Sequence, residues 1–381
     1  MPIITHDKTT PFEFTGRGGE YFRIWIVNIL LTLLTLGIYS AWATVRKRRY
    51  FYGNTRLDGT EFHYLATPWM ILKGRLIAVA VLLLYFGLGQ FYPLAAGGFA
   101  IVLVLAMPWI VWNSMRFKTR MSQYRNVRFN FSGRLRPVIF YLLILPIIPL
   151  LIFVAIGVVL YFSALVDPKL LAPLAGLGVL GVYLIIPLVQ AKLANYYINH
   201  VAFGQGKFDA EITSGTYYKT YIKAFLIGIL LIAAIAAVAG SAGLLASFQS
   251  QQPPGGELAG ILGLVYLFFI LFGIWLRAYV SVRIRNYIFD STNLDKSLQL
   301  HSAMKVMGLF GVYLVNTILL IITLGFAHPW TAVRVARYKA DSTFALIEGN
   351  LSKYVTRQQE YQSALGDELG DALDFDMDIA L

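Results

Sequence analysis

The sequence predicts an all-α polytopic membrane protein: about six full transmembrane helices, two broken or re-entrant helices, internal repeats and short β-ribbons on the cytoplasmic face. Three observations predict it. The 381-residue chain is 57% hydrophobic and only 14% charged, more apolar surface than a soluble core of that length encloses, so the surplus must face lipid. Apolar runs of bilayer-crossing length, about 20 residues, recur along the chain. Positive charge collects in every second connection.

Eight apolar segments lie near residues 22–44, 68–88, 93–113, 137–162, 170–190, 222–248, 258–280 and 306–327. The connections after the first, third, fifth and seventh are long and basic, beginning with Arg46, Lys47, Arg48 and Arg49, then Arg116, Lys118 and Arg120. Those between, near Gln90, 167–169 and 249–257, carry almost no positive charge. By the positive-inside rule the basic set is cytoplasmic. Topology thus accounts for the net charge of +12 without any nucleic acid. Residues 1–20 lack the charged, apolar and cleavage regions of a signal peptide in that order, so the mature protein is expected to begin near Met1. The chain has no cysteine, which excludes disulfides, thiolate metal sites and cysteine nucleophiles.

The segments group into units at 1–67, 68–136, 137–221, 222–305 and 306–358, followed by an acidic tail at 359–381. Internal repetition supports the grouping. Where apolar helices run out into basic loops, a basic residue, two others, a polar residue and then Tyr recur. The copies place Arg46 before Tyr50, Arg120 before Tyr124, Lys192 before Tyr196, Arg283 before Tyr287 and Arg334 before Tyr338. On a continuing helix that spacing puts ring and cation on one face, as interfacial anchors to lipid headgroups. The polar, β-prone stretches after each Tyr are expected to form ribbons against the cytoplasmic face.

A second repeat links the two ends of the chain. Val27, Asn28, Leu31, Thr35, Leu36, Gly37 and Trp42 match Val315, Asn316, Leu319, Thr323, Leu324, Gly325 and Trp330 at constant offset. Tyr287 and Tyr338 both follow cytoplasmic-type charge yet are separated by one apolar segment. A single crossing would put one of them outside. The first and last segments are therefore expected to break near Gly37–Ser40 and Gly325–Pro329 and to return on the side they entered. A plain kinked span is the alternative.

Asn28, Thr35, Asn316 and Thr323 are the intramembrane polar residues of these repeated segments. An amide in an apolar helix is costly unless partnered. The set either lines a site between symmetry-related broken helices or ties each helix to its neighbour. His63 and His328 lack the spaced companions of a metal site, and no metal, cofactor or catalytic residue is assigned. With no Walker loop, serine elbow, zinc-binding helix or membrane-depth aspartate pair, the sequence does not read as an enzyme. The acidic tail is either solvated or a docking segment for the chain's own basic loops or a protein partner. Membrane lipids are the other expected partners.

Phe14-Thr15-Gly16, Asn28, Thr35-Leu36-Gly37-Ile38-Tyr39, Trp42 and Arg49-Tyr50, with the C-terminal copy and the ending Ala372-Leu373-Asp374-Phe375-Asp376, resemble the YjgN-like family of bacterial inner-membrane proteins. The resemblance covers essentially the whole chain. At the first break this sequence has Ser40-Ala41-Trp42 where that family usually has Ser-Pro-Trp. The family has no assigned function, so the resemblance implies bacterial inner-membrane residence and no substrate. Two functions are open to such a chain: transport or handling of a lipid or small amphiphile, and a scaffold recruiting a partner through its tail and basic face.

Overall fold

The computed structural model describes residues 8–162, 171–241, 256–295, 297–348 and 352–361. The acidic tail beyond residue 361, and most of the two connections at 167–169 and 249–257, lie outside them.

The expectation of an all-α fold is overturned. Ten strands close into one antiparallel barrel: β1 (Lys8–Phe14), β2 (Thr55–Leu57), β3 (Thr60–Tyr64), β4 (Ser122–Tyr124), β5 (Val127–Phe131), β6 (Val201–Phe203), β7 (Gly206–Ala210), β8 (Thr292–Leu294), β9 (Leu298–Ser302) and β10 (Thr343–Ile347). The ribbons placed on the cytoplasmic face exist, but each pairs with the next hairpin as well as within itself. Phe62 pairs with Tyr124, Phe129 with Phe203 and Phe208 with Leu294. The ring is closed by the two ends of the chain, with Thr10 opposite Ala345 and Glu13 opposite Arg56. A closed sheet leaves no edge, which is how strands this short stay paired.

Local chemistry sets the hairpins. At the turns Asp58–Gly59 and Arg125–Asn126 both residues have positive φ, the conformation of the two-residue turn whose twist suits a hairpin. Leu57, Tyr124, Phe203 and Leu294 end the short strands, and all four are at most 5% exposed. With Val127, Leu298, Ala345 and Ile347 they fill the turn end of the barrel.

Helical hairpins alternate with the β-hairpins. They are α1 (Gly18–Leu34) with α2 (Ser40–Gly53), α3 (Pro68–Phe91) with α4 (Pro93–Arg120), α5 (Leu135–Ile139) and α6 (Leu145–Phe162) with α7 (Leu171–Asn199), α8 (Ser214–Ser241) with α9 (Gly256–Asp290), and α10 (Val306–Ile322) with α11 (His328–Asp341). A π-helical stretch, Phe140–Ile144, joins α5 to α6 just ahead of Pro146 and Pro149, where proline disturbs the regular hydrogen-bond ladder. Five helical stretches among the described residues are long and apolar enough to cross a bilayer: Pro68–Phe91, Pro93–Arg120, Leu135–Val158, Ser214–Ile235 and Gly263–Asp290. α7, at 29 residues, returns the third pair to the barrel.

The first and last pairs are shorter. α1 and α10 have 17 residues and α2 and α11 have 14, about 26 and 21 Å long against a hydrocarbon core of about 30 Å. Both ends of each pair run into barrel strands, so each enters and returns on one side. Their tips are built alike. Thr35 Oγ1 donates to the Leu31 carbonyl and accepts from the Tyr39 amide, and Thr323 Oγ1 does the same with Leu319 and Ala327. The following Leu36 and Leu324 take φ near 50° and Gly37 and Gly325 near 90°, the left-handed termination of a helix. Leu36 and Leu324, 96% and 89% exposed, present the tips as apolar surface.

Candidate functional site: a chamber where the helices meet the barrel

The five returning helices deliver their last turns to the barrel mouth, and one set of polar contacts recurs there. Tyr50 donates its hydroxyl to the Arg17 carbonyl and accepts from the Arg17 amide, both at 2.8 Å. Tyr338 does the same with Lys305. Tyr196 donates to the Arg134 carbonyl. Tyr287 accepts from the Thr213 amide at 2.8 Å and donates to the Glu211 carbonyl. Each of these tyrosines stands five residues before a strand and fastens the base of its own helical hairpin. In the α3–α4 pair Phe117 holds that register and packs against Met70 and Ile71. Tyr124 is elsewhere: it lies in β4, 4% exposed, and its hydroxyl donates to the Leu57 carbonyl.

A companion set of contacts ties each returning helix to the segment that leads into the next helical hairpin. Arg49 donates to the Ala66 carbonyl, Trp112 to Gly133, Asn286 to Met304 and Arg337 to Gly16, while the Ile212 amide donates to Asn195. The Arg337 bond joins residues 321 positions apart and closes the circle.

The repeat cations and the intramembrane polar residues are distributed around this frame. Arg46 lies 5.9 Å over the Tyr39 ring and Arg283 lies 5.7 Å over Tyr279. Lys192 is exposed, and Arg120 ends α4 half-buried. Arg334 donates to Asn316 Oδ1 at 3.3 Å, and Asn316 Nδ2 donates to the Thr331 carbonyl at 3.3 Å, tying α10 to α11. Asn28 is buried, and its Oδ1 has no hydrogen-bond partner among the described residues. Thr35 and Thr323 serve the hairpin tips. None of these four residues lines the cavity described next.

That cavity, about 690 Å³, lies between the helix ends and the open end of the barrel. Its lining is mixed in chemistry. Arg48 and Tyr52 of α2, Lys118 and Thr119 of α4, Ser122 and Tyr197 supply cations and hydroxyls. Phe62, Phe129, Phe208, Ile288, Phe289 and Leu300 supply aromatic and aliphatic surface. The hydroxyls are bonded to one another, with Tyr52 to Ser122 at 3.1 Å and Thr119 to Tyr197 at 2.9 Å. Arg48 donates to the Tyr64 hydroxyl at 2.6 Å and lies 5.2 Å over that ring. Burial raises the Tyr64 hydroxyl's pKa more than Arg48 lowers it, so this hydroxyl stays neutral. Among the described residues no carboxylate lines the chamber, which leaves the two cations facing a half-apolar space.

Sequence reasoning saw Arg48 and Lys118 only as loop charges and missed Tyr52, Thr119, Ser122 and Tyr197. The usable signal is register: Arg48, Tyr52, Lys118, Thr119 and Tyr197 fall on the last turns before β2, β4 and β6, and Ser122 opens β4 three and four positions after Thr119 and Lys118.

Five helical stretches long and apolar enough to cross a bilayer, joined through a barrel built from the basic connections, define a multi-pass membrane protein. Residues 9–372 match the family described as bacterial protein of unknown function, DUF898, and the chain belongs to it. It is 28% identical over 358 residues to "Inner membrane protein YjgN" of Salmonella typhimurium, covering 89% of this chain and 88% of that one. The proteins of the same name from Escherichia coli O157:H7 and strain K12 are 24% and 23% identical, each across 91% of this chain and 90% of theirs. No solved structure matches.

Proposed function

We propose that this protein handles a lipid or small amphiphile, held in the chamber where the helices meet the barrel. The observation that carries the reading is a chamber lined both by two cations with several hydroxyls and by aromatic and aliphatic side chains. An amphiphile matches both kinds of surface at once, whereas a fully polar solute wastes the apolar lining and a hydrocarbon leaves Arg48 and Lys118 unmatched. A volume of about 690 Å³ is within the range of small-molecule sites. The apolar helix surfaces around the mouth lie in the phase where amphiphiles are concentrated.

The test is native mass spectrometry of the protein extracted in native lipid, set beside an Ala194→Trp variant. Ala194 lines the chamber, and an indole there occupies much of its space. The expected result is a stoichiometric amphiphile on the wild type that falls at least about tenfold in the variant, a loss of about 1.4 kcal/mol. Equal occupancy in both proteins would contradict the reading.

A further inference from the structure

At the end of α11, Lys339 lies within electrostatic reach of Arg285 and Arg277 of α9, and no ion pair to a carboxylate is found for the three among the described residues. Arg285 stands seven residues before β8, the register that Arg48 holds before β2. Its guanidinium lies 4.1 Å over the Phe289 ring, and Phe289 is a wall of the chamber. Arg285 Nη2 donates to Thr343 Oγ1 at 3.0 Å, and Thr343 Oγ1 donates on to the Lys339 carbonyl at 2.5 Å. One threonine therefore bridges the elements that carry the two cations. Arg285 Nε is buried and has no hydrogen-bond partner among the described residues. Burial, then the positive charges of Arg285 and Arg277, hold the Lys339 ammonium below the usual lysine range. Arg277, about two turns earlier on α9, lies 5.2 Å over the Tyr313 ring.

The other charged groups on these elements are engaged or turned away. Arg334 is held by Asn316 and Arg337 by the Gly16 carbonyl. Asp290 accepts from His301 at 2.8 Å and from the Ser302 amide at 3.1 Å. Asp341 is exposed, and Arg283 is exposed beside Tyr279. Like charges drawn together out of water repel unless an anion joins them. A buried guanidinium N–H without an acceptor is a donor awaiting one.

We infer that Arg285 and Lys339 form a binding site for a phosphate-class anion, either the headgroup of the chamber's amphiphile or free phosphate. The inference rests on the chamber reading and names the charge its ligand carries. Thermal unfolding of the full-length protein in a non-ionic detergent, in inorganic phosphate and in chloride of equal ionic strength, tests the anion. Phosphate should raise the unfolding midpoint of the wild type and of Lys339→Arg, and leave Lys339→Gln unmoved. In chloride alone Lys339→Gln should unfold above the wild type, because a repelling charge is gone. Equal midpoints in the two salts for the wild type would overturn the inference without any variant having to fold.

Reconstitution in nanodiscs, offering phosphatidylglycerol against uncharged diacylglycerol, distinguishes the sources. Retention of phosphatidylglycerol at least tenfold above diacylglycerol, together with the phosphate response, assigns the anion to a lipid head. A phosphate response without that preference assigns it to free phosphate. Chamber occupancy by both lipids alike, with no phosphate response, would refute the anion and leave the amphiphile reading intact. An empty chamber with either lipid would remove both.

Discussion

Val355→Asp is expected to release the C-terminal helix from the barrel while the ring of helices stays folded. This helix, residues 352–361, lies across the turn end of the barrel. Val355 is 2% exposed, in one core with Leu57, Tyr124, Val127 and Phe203. Its flanks are tied to the hairpin turns. The Gln205 amide donates to Gln358, Tyr354 donates to Asp295, Gln359 donates to the Arg125 carbonyl, and Arg125 donates to Ser352. Arg125 also pairs with Asp58 at 3.0 Å, which brings in the β2–β3 turn. The substitution removes a valine worth about 1.5–3 kcal/mol of burial and puts an unpaired carboxylate in its place. A local cost of roughly 3 kcal/mol or more exceeds what a ten-residue helix holds by itself. Limited trypsin digestion checks this. Cleavage at Lys353 and Arg357 should accelerate at least about a hundredfold over the wild type, by the tenfold per 1.4 kcal/mol relation, and unchanged protection would contradict the plug.

Gly308→Ala is expected to cost about 1–3 kcal/mol, and Tyr338→Phe to recover part of it. A β-carbon at Gly308 would press on the Tyr338 hydroxyl, with Cζ next nearest at 3.0 Å. That hydroxyl is the staple that fastens α11 to the start of α10 through Lys305. Tyr338→Phe by itself loses two hydrogen bonds, about 1 kcal/mol each. The double variant should be more stable than the sum of the two single losses by about 1 kcal/mol, measured by unfolding in detergent. Strict additivity would show that the staple is not in contact with the outgoing helix.

The two helix terminations were legible because they are local. Thr35-Leu36-Gly37 and Thr323-Leu324-Gly325 build the same helix termination, and their left-handed backbone is what a Leu-Gly pair exposed to lipid provides. The tyrosine unit was legible in four copies and shifted in the second. There Phe117 holds the stapling position, while Tyr124, seven residues on, fits the same local pattern from inside β4. No spacing rule separates a helix end from a strand three residues long.

The barrel itself was not legible for the same reason. Each short strand carries three residues, too few to display alternation, and its second partner comes from another hairpin many tens of residues away. Ala345 finds Thr10 from the opposite end of the chain, a pairing that only the closed ring imposes. The chamber is a product of that closure. Arg48, Lys118 and Tyr197 read as ordinary loop-side residues until five helices are set around one axis. Asn316 shows the reverse case, an intramembrane amide whose partners are two residues of the adjoining helix.

The most direct test of an amphiphile in the chamber is photolabelling in membranes with a phospholipid carrying a diazirine near the end of its acyl chain. Peptide mapping should place adducts on Phe208 and Leu300 as well as on exposed apolar residues of the spanning helices such as Leu83 and Leu230, and the first group should vanish in Ala194→Trp. Adducts confined to the second group in the wild type would contradict the account.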